Sequence, residues 1–484
     1  MSSELIIIAC LIVPIIGALL IISTGRWSNI RETVTLFTAT TLFLFVASLY
    51  PEVIAGDRPE ITVGEMIPSL NIAFKIEPLG LIFALVASFL WIINSLYSIG
   101  YMRANKEKNQ TRFYVCFALA LSSSIAIAFS ANLITLFIFY EILTLSTYPL
   151  VTHAGTENAK KGGRIYLGVL LTTSIGFLLL AITSTWLIAG TLDFTPQGIL
   201  ENKASNTIIG ILFALYIFGI GKAAIMPVHL WLPAAMVAPT PVSALLHAVA
   251  VVKAGVFTIV KITIYIFGLD FLSDIGITQW LIYLSGFTIL TASIIAIRQD
   301  NLKRRLAYST ISQLSYVIMA TAILAPMSIV GAALHIAVHA FGKITLFFAA
   351  GSIYTASHKT EISQLNGIGK QMPWTMGAFT IGALSMIGVP PTAGFISKWY
   401  IFMGAFDSGQ IEGVIVIVIS TLLNAGYLLP IIYVAFFKRE KSTVYDKTFE
   451  APIAIVIALT TTATVTFLLF LFPAPFLDLA KKLI

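Results

Sequence analysis

Residues 218–231 read FGIGKAAIMPVHLW, an apolar stretch that carries one lysine, Lys222, and one proline, Pro227. Apolar sequence precedes it, as it does in a segment built to cross a bilayer. An ammonium at that depth costs a few kcal/mol or more, and a proline removes one helical hydrogen bond and clashes with the preceding turn. A segment that accepts both is expected to be an interrupted helix. Its lysine then faces protein or a hydrated cavity, because irregular backbone is tolerated at membrane depth only there.

The rest of the chain has the same character. Of 484 residues, 58% are hydrophobic and 11% charged, where a soluble protein has about 25% charged residues. Apolar runs long enough to span a membrane, about 20 residues each, occur fourteen times: 4–22, 31–50, 77–100, 112–130, 132–152, 164–189, 206–228, 239–266, 278–297, 305–324, 328–354, 374–404, 411–437 and 450–472. The fold class is therefore all-α and polytopic. The longest polar connection, 51–76, leaves no room for a separate soluble catalytic domain. The opening MSSE lacks a basic leader and a cleavage site, so the first run is read as a retained span. Cys10 and Cys116 lie singly in apolar runs, with no CxxC or cluster spacing, and there is no phosphate-binding glycine loop. No bound redox centre or other cofactor is expected.

The formal net charge is +7, but its placement argues for topology rather than for an anionic partner. With residues at span ends counted in the adjoining connection, the odd-numbered connections carry 19 Lys and Arg and the even-numbered ones three, Arg58, Lys75 and Lys203. This is the positive-inside pattern, which puts the odd connections in the cytoplasm and both termini outside. Nucleic acid is not an expected partner.

Once the connections and the C-terminal Lys481 and Lys482 are set aside, five cations remain inside the spans: Lys222, Lys253, Lys261, Lys343 and Lys398. All are lysines. An arginine holds its proton in essentially any protein environment, whereas a buried lysine can release one near neutral pH. Lys261, near the outer end of its span, is expected to snorkel or to pin helices together. The other four fall deeper and are candidates for proton handling. One acid lies well inside a span, Glu141 in FIFYEILTLSTYPL, and Lys222 is its natural partner. The eleventh span reads LHIAVHAFGKITLFF, with His335, His339 and Lys343 at i, i+4 and i+8 on one helical face. Two histidines so spaced can bind metal, but no HExxH and no acidic third ligand accompany them, so a proton relay suits them better. His247, six residues before Lys253, and His229 are weaker members, each equally readable as a packing residue.

Span 12 carries a second interruption, SMIGVPPTAGFISKWYIF, where Gly388, Pro390, Pro391 and Gly394 precede Lys398. A third is expected at APTPVSALLH, through Pro239 and Pro241. Paired interruptions point to an internal repeat. Spans 4–8 (112–266) and 9–13 (278–437) form two five-helix units with the broken helix fourth in each, and their odd offset fits inverted orientation. Residues 1–111 hold spans 1–3, and 450–484 hold span 14.

These stretches, with APTPVSALLHAVAVVKAG, DNLKRRLAYSTISQLSY and HIAVHAFGKITLFFAAG, resemble the antiporter-like subunits shared by respiratory complex I and the Mrp-type multisubunit Na⁺/H⁺ antiporters. The resemblance runs from about 77 to 437. It implies fourteen helices, two inverted repeats, broken helices 7 and 12, and a polar axis at the membrane midplane. On matching positions it implies a coupling pair of Glu141 and Lys222, a relay through Lys253, His335, His339 and Lys343 assisted by His247, and a terminal gate at Lys398. It also implies partner membrane subunits, a prokaryotic plasma membrane, and protons as the cargo. Tyr140 departs from the family, where Trp often precedes the glutamate. Length and pattern favour the D-type Mrp subunit, which is a transporter component with no chemistry of its own; a proton-pumping subunit of complex I or of a membrane-bound hydrogenase is the alternative. A scaffold with a dead channel fits poorly with so many costly buried charges. The sequence assigns Na⁺ passage neither to this chain nor to a partner.

Overall fold

The computed structural model describes residues 2–67, 70–438 and 449–484. Twelve continuous helices in it are long and apolar enough to span a membrane. They are Ser3–Ser23, Ser28–Ala55, Pro78–Ala104, Gln110–Phe129, Leu133–Val151, Glu157–Ala189, Thr240–Phe267, Gln279–Arg298, Leu302–Ile323, Pro326–Ser357, Ile411–Phe437 and Ile453–Leu471. Between them lie the two interrupted segments. Span 7 is a helix at Asn206–Gly219 followed by irregular chain and short turns as far as Val237. Span 12 is a pair of helices, Pro373–Ile387 and Ala393–Asp407. All fourteen expected segments are present, and the two expected breaks fall where lysine, proline and glycine cluster.

The third expected break is displaced. Pro239 caps the start of span 8 and Pro241 lies in its first turn, where the missing N–H has no helical partner to lose. The prolines therefore begin the helix instead of interrupting it. The disturbance comes one turn later, in a widened π-helical turn at Leu245–Val249, with Ala250 at φ −115°, ψ −71°.

A second departure is a two-stranded hairpin in the connection 51–76. Strand β1 (Glu60–Ile67) runs antiparallel to β2 (Leu70–Lys75), with Glu60 opposite Lys75. It is docked to the bundle, since Ala131 donates its N–H to the Ala73 carbonyl at 3.0 Å and Asn132 donates to the Asn71 carbonyl at 2.8 Å. A connection this long has backbone groups to satisfy, and pairing with itself does so.

Contacts among the connections sort them onto two faces. Arg31 reaches Gln110 and Thr111, Arg112 reaches the His153 carbonyl, Lys303 reaches the Ala238 carbonyl, and Asn301 reaches Glu361. These belong to odd-numbered connections. On the opposite face, Ala131 meets Ala73 and Ile199 meets Ile266, all in or beside even-numbered ones. The expected basic connection after span 13, with Arg439, Lys441 and Lys447, lies outside the described residues.

Spans 8 and 11 form the axis of the bundle: their apolar windows are wholly buried, against about a third of the windows of spans 2, 13 and 14. The helices with the most lysines and histidines are thus the ones farthest from lipid. Both breaks pack directly on this axis. A Cβ on Gly255 in span 8 would overlap the backbone of Lys222 and Ala223, and one on Gly331 in span 11 would overlap the backbone nitrogen of Ile401 in the second half of span 12.

Lys261 is accounted for by structure, as expected, through pinning and not snorkelling. It is fully buried, forms a 3.0 Å ion pair with Glu77 at the start of span 3, and donates to the Ser130 carbonyl at 2.7 Å. Three helix ends meet there. Removing one member of a buried pair strands the other and costs about 3–5 kcal/mol. Lys261→Ala should therefore lower the thermal stability of the membrane complex, and adding Glu77→Gln should recover much of the loss. Equal melting temperatures for Lys261→Ala and the unmodified protein would refute this role.

Candidate functional site

Lys222 sits in the single turn Gly221–Ala223 that follows the first half of span 7. Its Nζ donates to the Tyr140 carbonyl at 2.8 Å and to Thr144 Oγ1 at 2.6 Å, and lies 3.2 Å from the centroid of the Tyr140 ring. Its backbone N–H donates to the Tyr140 hydroxyl at 3.1 Å. Tyr140, the residue that departs from the family pattern, thus holds the lysine at three points.

The expected Glu141–Lys222 contact is not made in this structure. Both carboxylate oxygens of Glu141 are buried and have no hydrogen-bond partner among the described residues. Successive helical residues point about 100° apart, so a turn that presents Tyr140 and Thr144 to Lys222 carries Glu141 round the helix. The carboxylate remains a near neighbour of the lysine's anchor, one residue away.

Lys253 and His339 are brought together. Lys253 Nζ stands 2.5 Å from His339 Nδ1, a bond that joins span 8 to span 11. His335 precedes His339 by one turn with ring centroids 6.0 Å apart, and its Nδ1 lies 2.9 Å from Ser397 Oγ, next to Lys398. Lys343 donates to Ser309 Oγ at 2.7 Å. Lys398 donates to the Met386 and Ile387 carbonyls at 2.7 and 3.1 Å. These are the last carbonyls of the first half of span 12, left without helical partners and at the negative end of the helix dipole, so a cation is favoured there. His247 lies in the widened turn of span 8, its ring 4.9 Å from that of Phe347, with neither nitrogen bonded among the described residues. His229 stays apart from the row, its Nδ1 3.2 Å from the Pro227 carbonyl.

Several members escape sequence reading: Tyr140 and Thr144 around Lys222, Ser309 at Lys343, and Tyr427 and Asn424 beyond it. The one signal for the last two was their i, i+3 spacing in span 13, where Ser420 and Thr421 precede them.

Twelve continuous spans and two broken ones around a buried file of lysines and histidines define a multi-pass membrane protein of antiporter-like architecture. The family model described as NADH:quinone oxidoreductase/Mrp antiporter, TM matches residues 130–424, and that described as NADH-Ubiquinone oxidoreductase (complex I), chain 5 N-terminus matches 61–114. The chain belongs to the NADH:quinone oxidoreductase/Mrp antiporter membrane family. It is 33% identical over 375 residues to NADH-quinone oxidoreductase subunit N of Desulforudis audaxviator, covering 77% of this chain and 74% of that one. It is 31% identical to a Na(+)/H(+) antiporter subunit of Alkalihalophilus pseudofirmus, over 81% of this chain and 52% of that one. The chain spans about half the length of the longer relatives it matches. Among solved structures, a chain of the membrane-bound sulfane sulfur reductase, an archaeal respiratory membrane complex, superposes with a TM-score of 0.88 at 26% identity, over 99% of this chain and 97% of that one. A chain of the Mrp complex from Dietzia sp. has the same fold, with a TM-score of 0.88 at 20% identity, over 100% and 97%.

Proposed function

We propose that this chain is the proton-translocating subunit of a hetero-oligomeric membrane complex, with protons passed along Glu141, Lys222, Lys253, His339, His335, Lys343 and Lys398, assisted by His247. The observation that carries this reading is the 2.5 Å approach of Lys253 Nζ to His339 Nδ1. A hydrogen bond between two basic nitrogens needs a proton on one and a lone pair on the other. One proton therefore lies between the two groups, in position to pass from one nitrogen to the other. Arginine cannot enter such an exchange, since it keeps its proton.

The driving process is read as Na⁺/H⁺ exchange, as in the similar Mrp-type antiporters, in a prokaryotic plasma membrane with both termini outside. Spans 4–8 and 9–13 serve as inverted repeats, a reading supported by the break in the fourth helix of each. A second reading, a proton-pumping subunit of a redox complex, is favoured by the 26% identity to the sulfane sulfur reductase chain over nearly the full length. Everted vesicles containing the assembled complex distinguish them. A Na⁺ pulse that collapses an imposed pH gradient supports exchange, and acidification on adding an electron donor, insensitive to Na⁺, supports redox pumping. In either assay Lys253→Arg should cut turnover at least about tenfold with normal assembly. Unimpaired turnover would reject Lys253 as a proton carrier.

A further inference from the structure

Lys343 and Lys398 are separated by a chain of neutral polar side chains that the proposed relay does not use. Lys343 Nζ donates to Ser309 Oγ at 2.7 Å, Ser309 Oγ lies 2.9 Å from the Tyr427 hydroxyl, and Tyr427 donates to Asn424 Oδ1 at 2.7 Å. Asn424 Nδ2 in turn reaches the Met386 carbonyl at 3.4 Å, the same oxygen that accepts from Lys398. All of these groups are buried. Span 10 holds Tyr427 from both ends, because Arg305, one turn before Ser309, donates to the Tyr427 backbone carbonyl at 3.0 Å.

Each hydroxyl carries one proton, so the direction of one bond sets the next. Tyr427 donates to Asn424, which leaves its oxygen to accept from Ser309. Ser309 is then an acceptor toward Lys343, which suits an ammonium. A neutral Lys343 keeps two N–H groups and gains a lone pair, which Ser309 satisfies by turning its O–H toward the lysine. Tyr427 then turns its own O–H to Ser309 and releases Asn424. Two hydroxyl rotations suffice: no covalent bond breaks, each oxygen keeps its own proton, and the proton lost by Lys343 leaves along the lysine–histidine row.

We infer that Ser309, Tyr427 and Asn424 form a polarity switch that reports the charge of Lys343 to the carbonyl cradle of Lys398. The switch rests on the proton-relay reading, and its three members are positioning residues. Asn424 is fixed when Lys343 is charged and freed when it is neutral, so the grip on Met386, and with it on Lys398, follows the load on Lys343. Neutral amides cannot pass a proton onward cheaply, which is why the chain signals and does not conduct. The charged and titratable groups around it are Lys343, His339 and His335 on span 11, Lys398 on span 12, and Tyr316 and Arg305 on span 10.

The test uses the assembled complex in everted vesicles, with turnover followed across pH. Tyr427→Phe and Ser309→Ala should each assemble, lower turnover at least about tenfold, and displace the pH optimum by about half a unit or more in the same sense. The double variant should be no worse than either single one, since both cut the same chain. Ser309→Thr, which keeps the hydroxyl, should restore both rate and optimum. Losses that multiply in the double variant, or a Tyr427→Phe protein with unchanged rate and optimum, would overturn the switch. Lys343→Ala is the reference: if it still translocates protons, the relay reading falls and takes the switch with it. If it does not, a fully active Tyr427→Phe counts against the switch alone.

Discussion

Lys222→Ala assembles into its complex and translocates no protons above the level of vesicles lacking the chain. The expectation follows from what surrounds the lysine. Its ammonium is fully buried, and its partners are a backbone carbonyl, a threonine hydroxyl and an aromatic face. None of these is a carboxylate, so removing Lys222 breaks no contact ion pair; Glu141 loses only a through-space attraction to the lysine, which costs less than a broken contact pair. Lys222→Met, which also fills the apolar volume of the side chain, should assemble at least as well as Lys222→Ala. The relay, by contrast, has no substitute at this position: the ionisable side chain beside its anchor is Glu141, whose oxygens bond to nothing among the described residues. Lys222→Arg is the sharper probe. It keeps the charge and a similar reach but cannot give up its proton, so it should be as inactive as Lys222→Ala. Normal turnover in Lys222→Arg would show that the site needs charge and not exchange. Glu141→Ala should also stop translocation, because a separable pair needs both members. That this carboxylate stands one residue from the lysine's anchor, unbonded, is what the released half of such a pair looks like.

How much of this could be read beforehand divides along physical lines. The spans and both breaks were legible because lipid imposes one requirement, that backbone polar groups be satisfied within the segment, and violations such as Lys222 with Pro227 stand out against it. Pro239 and Pro241 misled because a proline at a helix start and one in a helix interior look alike in sequence, and only the position of the first turn separates them. The lysine row was legible from subtraction of the connections. Its pairing was not. Which residue faces Lys222 depends on the rotation of span 5, where a 100° step exchanges Glu141 for Tyr140. Ser309, Asn424 and Tyr427 were hidden for a related reason, since each is an ordinary polar residue whose meaning appears only when spans 10, 12 and 13 are brought within one hydrogen bond of each other.

The same tight approach makes Gly394→Ala the most damaging single methyl group expected in this chain. The N–H of Gly394 donates to Ser385 Oγ at 3.2 Å, which holds the residue close, and a Cβ there would overlap the Ser385 carbonyl oxygen. That oxygen belongs to the backbone of the facing half-helix, so no side chain can swing aside to make room. Overpacking a buried site ordinarily costs about 1–3 kcal/mol, and a backbone clash that pushes the half-helices apart falls at or beyond the upper end. Their separation also draws Met386 and Ile387 away from Lys398, which gives both its hydrogen bonds to these carbonyls. Gly394→Ala should therefore lower the amount of assembled complex severalfold and leave what does assemble inactive. Gly377 supplies the control. It lies in the first half-helix of the same span, and a Cβ there meets nothing within 4 Å, so Gly377→Ala should be neutral or gain up to about 1 kcal/mol from helix propensity. Native gels and vesicle assays on the two variants side by side decide the matter. Gly394→Ala at normal abundance and turnover would mean that the break in span 12 is loose enough to absorb a methyl group, and that Lys398 does not depend on its geometry.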